Sequence, residues 1–327
     1  MKKTLIASLL LSVVAFAAPS QAEPLKLRIS GENPGASADL IMAKTFGDKL
    51  KEKLGDDFSF EFFHTGALGD EVVHMQMVRS GQIDVYPMGS DAIQLDKNWG
   101  IFDVPFLFAD RETVARVLDG KIGEELRASM RKRAGLEVLA FGELGFRQIT
   151  NNVRPVVKPE DMKGIKLRVP GNRARVLMFE TYGAAPVSMN LSELYLALQN
   201  GTVDGQENPM ETVMVNSLHE VQKNLAISKH VYTPVTLVMN AGRFEKLSDD
   251  QKKAVREAAQ EAAEHVRSLG EKIDAEAVEK LKSEGKVAVT EIDLAAFQEA
   301  SKPVWEALTP TLDDGLLDRV NAEIAAQ

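Results

Sequence analysis

The sequence predicts an α/β protein built as a two-lobed clamshell with one long helix spanning both lobes. Strand and helix patterns alternate in two separate stretches, 25–87 and 159–209, which argues for two sheets with crossover helices. A capped amphipathic pattern from Ser248 to about Ser283 would be roughly 50 Å long, longer than one small domain and suited to a shared spine. The 327 residues include no cysteine, so stability must come from packed cores, and the chain is large enough for two.

The order of elements begins with MKKTLIASLLLSVVAFAAPSQA: Lys2 and Lys3, an apolar run from about Leu5 to Ala18, then small Ser20 and Ala22. This is the pattern of a secretory signal peptide cut after Ala22, and it places the mature chain in the bacterial periplasm. No later stretch approaches 18 uninterrupted apolar residues, so no membrane span is expected beyond the leader. LKLRIS at 25–30 alternates as a strand, NPG at 33–35 breaks it, and Ala43, Phe46, Leu50 and Leu54 mark one face of a helix ended by Gly55. FSFEFFH at 58–64 is a second strand, DEVVHMQMVRSG at 70–81 a helix, and IDVYP a third strand. Ligands of such open sheets sit beyond the carboxyl ends of the strands, so 31–36, 64–71 and 86–91 are expected to line a cleft.

A helical stretch over 110–134 follows, then the apolar strand LEVLAFGEL at 136–144, which runs into GFRQITNN at the first crossing between lobes. The second lobe repeats the alternation: IKLRV at 165–169, helices at RARVLMFETYG and LSELYLALQNG, and the strand TVDGQE. VYTPVTLVMNAG at 231–242 is read as the return to the first lobe. In the spine helix, Ser248 and Gln251 form a capping box, and Gly285 closes the far end. The expected divisions are a signal peptide at 1–22, lobe I at 23–145 and 234–272, and lobe II at 146–233 and 273–327.

Without the leader, 327 − 22 = 305 residues carry 39 − 2 = 37 basic and 48 acidic side chains, a net charge of −11. Nucleic acid is excluded as a partner on that balance. An anionic ligand would need arginines placed locally in the cleft. Enzyme motifs are missing. Ser90 in MGSDA lacks the second glycine of a nucleophile elbow, the five histidines form no HExxH, and neither a Walker A sequence nor GxGxxG follows a strand. No catalytic residue, metal or cofactor is therefore expected, and binding is the reading that remains.

Three segments taken in order carry a resemblance: FRQITNN at 146–152, PEDMKGIKLRVP at 159–170 and SELYLALQNGTVDGQENP at 192–209. With ALGDEVVHMQMVRSGQIDV at 67–85, they resemble the periplasmic solute-binding subunit of tripartite ATP-independent periplasmic (TRAP) transporters. The resemblance implies a periplasmic binding protein closing on a small carboxylate ligand and docking on a small and a large integral membrane subunit. It further implies that Arg168, in KLRVP, forks a bidentate salt bridge to the ligand carboxylate, which suits a planar guanidinium. Read without the family, Arg168 alternates with Ile165, Leu167 and Val169 and is a solvated strand arginine.

The resemblance places Arg147 beside the cleft, where an interlobe or surface salt bridge is the rival reading. It assigns Asn208 to the same carboxylate, where an N-cap before Pro209 is the rival. In the first lobe Asn33 and Glu71 are candidates for ligand hydroxyl or amino groups, against a turn at Asn33 and a helix-dipole role for Glu71. Ser90 and Asp91 face the same mouth. Relatives carry Phe or Trp where this chain has Asn190 and Leu191, and Arg173 is a candidate for a second acidic group or an exposed helix arginine. A sugar acid is the expected cargo and a C4-dicarboxylate the alternative. A ligand-presenting sensor component and a lyase on the same fold are the rival functions, and a monomer is expected.

Overall fold

Two sheets of different handling organise the chain, which is described by a computed structural model over residues 24–326 except 34 and 36. The signal peptide lies outside the described residues, as does Pro34 of the NPG break. Among the described residues, no helix is long and apolar enough to cross a membrane.

In the first sheet, β1 (Leu25–Ser30) pairs in parallel with β2 (Phe58–Phe63) and β3 (Val85–Met88), joined through α1 (Ala38–Leu54) and α2 (Glu71–Ser80). The expected single helix over 110–134 is two, α3 (Arg111–Asp119) and α4 (Lys121–Ala134). The break falls at Gly120, whose backbone is extended (φ −97°, ψ −157°). β4 (Leu136–Phe141) follows, every residue buried.

The chain then enters the second sheet with β5 (Gly145–Asn151), β6 (Lys166–Val169), α5 (Arg173–Thr181), β7 (Ala185–Ser188) and α6 (Leu191–Gln199). β8 (Gly205–Pro209), α7 (Met210–Val215), β9 (Asn224–Ile227) and the short β10 (Tyr232–Thr233) complete that passage. Next come β11 (Thr236–Asn240), α8 (Ala241–Glu245), the 36-residue α9 (Asp249–Glu284), β12 (Ala288–Glu291), α10 (Leu294–Ala300), α11 (Lys302–Leu308) and α12 (Leu316–Ala325).

The sheet orders are β2-β1-β3-β11-β4 and β12-β9-β5-β8-β6-β7, with β10 paired to β5. The chain changes sheet between β4 and β5, again between β10 and β11, and a third time along α9, between β11 and β12. We call the unit around the first sheet lobe I and that around the second lobe II.

The expected capping box forms: Gln251 N–H donates to Ser248 Oγ (3.2 Å) and Ser248 N–H to Gln251 Oε1 (3.0 Å). At 1.5 Å per residue α9 is about 54 Å long. Its first half lays Ala254, Val255, Ala258, Ala259, Ala262 and Val266 against Phe46 and Leu50 of α1, in the lobe I core. The alanines let the two helices approach closely, and each buried Val, Leu or Phe there contributes about 1.5–3 kcal/mol. Its second half gives Ala277 and Leu281 to a lobe II core. Between them Gly270 passes Glu143 so closely that a Cβ would lie 1.8 Å from Glu143 Oε1, so a larger residue would displace that carboxylate.

One expectation about the C-terminus fails. α12 does not stay with lobe II: Leu316, Leu317 and Val320 pack in the same core as Val114 and Leu118 of α3, while Arg319 pairs with Glu125 of α4. An apolar stripe on a terminal helix is buried wherever a complementary groove lies, and here the groove belongs to lobe I.

A cleft with one basic and one acidic wall

The parallel strands of lobe I and the strands of lobe II point their loops at a common cavity. From lobe II come Arg147 on β5, Arg168 on β6, Asn190 and Leu191 at the start of α6, Asn208 on β8 and Thr212 on α7. From lobe I come Glu32 and Asn33 after β1, Asp39 on α1, Glu71 at the start of α2, Tyr86 on β3, and Ser90 and Asp91 after it. The lobes meet at the rim, where Asn190 Nδ2 donates to Asp70 Oδ2 (2.9 Å) and Gln94 Nε2 to the Gly171 carbonyl (3.1 Å).

Arg168 is the exception to the rule that strand arginines are solvated. It is 4% exposed, and its Nε and Nη2 both donate to the Met189 carbonyl, at 2.9 and 2.7 Å. That fixes the guanidinium plane, and among the described residues the group forms no ion pair. Burial first, and the charge of Arg147 next, bring its pKa down to about 10, still far above neutrality. A buried cation without a counter-charge is costly, and it is the feature an anion completes.

Arg147 differs. Its Nε lies 2.5 Å from Glu207 Oε2, and its Nη2 donates to Glu207 Oε1 (3.0 Å) and to Asn208 Oδ1 (2.8 Å). The salt bridge of Arg147 is neither interlobe nor at the surface, since it is buried between β5 and β8 of lobe II, and Arg147 lines the cavity wall as well. Asn208 is not an N-cap, since Pro209 occupies that position; its Nδ2 donates to Gln206 Oε1 (2.6 Å).

Behind the wall Arg175 bridges Asp103 (2.6 Å) and Glu207 (2.8 Å), and His230 Nε2 lies 3.0 Å from Glu207 Oε2. Burial would raise the Glu207 carboxyl, but Arg147, Arg175 and His230 outweigh it and hold the group well below the usual carboxylate range. Burial lowers His230 despite that neighbour, so the neutral ring donates to Glu207 through Nε2 and accepts from Ser228 through Nδ1 (2.8 Å).

The lobe I wall is the reverse. Glu71 Oε1 accepts the Gly89 N–H (2.9 Å), which ties the start of α2 to the end of β3. Burial, then Asp91 and Glu32, push Glu71 well above the usual range. Burial, then Asp39, raise Glu32 to about 7, and burial raises Asp39 and Asp91. Asp39 Oδ1 and Asp91 Oδ1 are buried without a hydrogen-bond partner among the described residues.

Of the residues named from the sequence, the cavity gathers Arg168, Arg147, Asn208, Glu71, Asn33, Ser90, Asp91 and Asn190. Arg173 is the correction. It is the first residue of α5, exposed and outside the cavity, because Asn172 caps the helix and the next turn directs Arg175 inward instead. Glu32, Asp39, Tyr86 and Glu207 were not singled out. Glu32 and Tyr86 fall in segments expected to line the cleft, and Glu207 precedes Asn208. Tyr86, packed on His74, lines the cavity from the opposite lobe.

Two α/β lobes closed over a buried cavity, with a fixed arginine fork in one wall, define a solute-binding protein for small anions. The family profile of DctP, bacterial extracellular solute-binding protein family 7, matches residues 29–310. The 2,3-diketo-L-gulonate-binding periplasmic protein YiaO of Escherichia coli is 34% identical, covering 88% of each chain. The TRAP periplasmic solute-binding protein of Roseobacter denitrificans, solved with bound β-D-glucuronate, superposes with a TM-score of 0.86 at 31% identity, covering 92% of this chain and 99% of that one. The sugar acid binding protein of Advenella mimigardefordensis, solved with galactonate, gives 0.88 at 29% identity, covering 93% and 99%.

The chain belongs to the bacterial extracellular solute-binding protein family 7 and is a TRAP solute-binding protein for small acids. Its relatives are transport proteins rather than enzymes, periplasmic, and partners of TRAP membrane permease subunits.

Proposed function

We propose that this protein captures a polyhydroxylated monocarboxylate, a uronate or aldonate, in the periplasm and delivers it to the two membrane subunits of a TRAP permease. The leader at 1–22 directs export. Arg168 forks the ligand carboxylate, Arg147 and Asn208 flank it, and Glu71, Glu32, Asn33 and Asp91 read the hydroxyls. The observation that carries this reading is the opposition of the two walls: arginines in lobe II, carboxyl groups in lobe I. A second carboxylate would enter the wall of Glu32, Glu71 and Asp91, which offers it no cation and where neighbouring acids already raise Glu32 and Glu71. Hydroxyls, in contrast, donate to carboxylates and accept from carboxylic acids, so raised pKa values do not spoil the wall for them.

A thermal-shift series on the mature protein with glucuronate, galacturonate, galactonate, succinate and malate tests this, since a ligand of the folded state raises the melting temperature. A shift with one sugar acid and none with the dicarboxylates is expected. A shift with succinate or malate alone would overturn the sugar-acid reading, and no shift with any acid would overturn the carboxylate clamp.

A further inference from the structure

Glu211 sits beside Thr212, one residue from the cavity wall, and is 4% exposed. Its Oε1 accepts the backbone N–H of Ala38, the first residue of α1, at 3.0 Å, and its Oε2 accepts the Thr212 hydroxyl at 3.1 Å. The Ala38 bond joins residues 173 positions apart and belonging to different lobes: α7 follows β8 in lobe II, and α1 follows β1 in lobe I. The exposed rim bonds of Asn190 and Gln94 also join the lobes, as do the buried bonds of Asn172 and Arg175 to Asp103, which lies between β3 and α3 in lobe I. The Glu211 bond is buried as well.

The first N–H groups of a helix have no partner within it and are normally met by the N-cap side chain. Ser37, the N-cap of α1, makes no such bond, and its Oγ is buried without a partner among the described residues. Lobe II therefore supplies, through Glu211, a capping acceptor that α1 lacks locally, and it can do so only when the lobes are together. When they part, the Ala38 N–H and the carboxyl group both return to water.

We propose that Glu211 is a closure latch, a positioning residue that caps α1 across the lobe interface and holds the cavity shut around whichever acid occupies it. The groups facing it add a pH dependence. Asp39 comes from α1, Asp274 from α9, and Glu143 lines the same small space; Arg111, the nearby cation, is engaged by Glu143 and Asp274. Burial first and Asp39 second push the latched carboxyl up to about 8, against the pull of the Ala38 N–H and Thr212. In the parted lobes the solvated group has the ordinary carboxylate value, so closing takes up a proton. The latch is at full strength at acid pH and weakens as pH rises through about 8.

The test uses ligand-free protein, so it stands apart from the question of which acid is bound. The chain has no cysteine, and the side chains of Asp70 and Asn190 meet across the rim at 2.9 Å. In an Asp70→Cys, Asn190→Cys background, the rate of cross-linking by a short bismaleimide reports the closed population. Adding Glu211→Ala is expected to slow trapping about tenfold, the usual effect of losing a helix cap. Glu211→Gln keeps an acceptor for Ala38 and a donor toward Thr212, and is expected to trap at nearly the parent rate at pH 6. The parent-to-Gln rate ratio should fall as pH rises from 6 to 8.5. An unchanged rate in Glu211→Ala, or Glu211→Gln as slow as Glu211→Ala, would overturn the latch. If Glu211→Ala does not fold, a parent-to-Gln ratio that stays flat with pH overturns it.

Discussion

The two walls of the cleft solve opposite electrostatic problems. In lobe II, Arg147 and Arg175 are neutralised before any ligand arrives, by Glu207 and by Asp103 reaching over from lobe I, and Arg168 alone is left for one. In lobe I, Glu32, Asp39, Glu71 and Asp91 crowd together without a cation of their own, and burial raises all four. Lobe II is thus an assembled charge network with one opening, and lobe I is a set of buried carboxyl groups that burial, more than their mutual repulsion, pushes upward. The difference teaches where specificity and strength reside: a single strong anchor on one side, and several adaptable hydrogen-bonding groups on the other.

Glu207→Ala would break the network most severely. It strands Arg147 and Arg175 in the interior, and a loss of about 3–5 kcal/mol of stability is expected by chemical denaturation. An equal effect from Glu71→Ala would erase the contrast between the walls. Next, Arg168→Ala removes the partner of the ligand carboxylate and should cost about 2–5 kcal/mol of binding in titration calorimetry with whichever acid shifts the melting point. Stability should change little, because Arg168 has no counter-ion to strand.

The smallest expected effect is in pH. Glu32 has a folded pKa raised to about 7 from 4.5, so its contribution is full below 4.5 and lost as pH rises through about 7. Glu32→Gln should flatten that part of the stability curve, on the order of 1–3 kcal/mol between pH 5 and 8. Glu207 behaves oppositely: its lowered pKa gives stability that is present above the ordinary carboxylate value and lost on acidification. A Glu32→Gln protein with the parent's pH profile would show that the lobe I acids are not protonated together.

The lobe II wall was more legible in the sequence than the lobe I wall. Arg168, Arg147 and Asn208 stand in ordered segments whose joint pattern is specific, and all three reach the cavity. Alternation could not say that Arg168 is buried, since that depends on the Met189 carbonyl, 21 residues away. Arg173 and Arg175 lie on the same predicted helix, and only the cap at Asn172 and the distant Asp103 decide which turns inward. Glu32 and Asp39 went unnamed because their significance is collective, arising when β1, α1, α2 and β3 converge. α12 was placed with the wrong lobe for a related reason: periodicity shows that a helix has an apolar stripe, not which groove receives it.

The place of β11 in the first sheet bears on how the chain acquires its shape. β11 lies between β3 and β4, yet it is made of Thr236–Asn240, after the whole first passage of lobe II from β5 to β10. Until those residues leave the ribosome, the lobe I sheet is split, and the face that α9 covers stays bare. Neither half can finish early and wait for the other. Such late, long-range closure slows folding and favours a chain that remains extended during its synthesis, the condition in which a polypeptide is threaded through a narrow translocation channel.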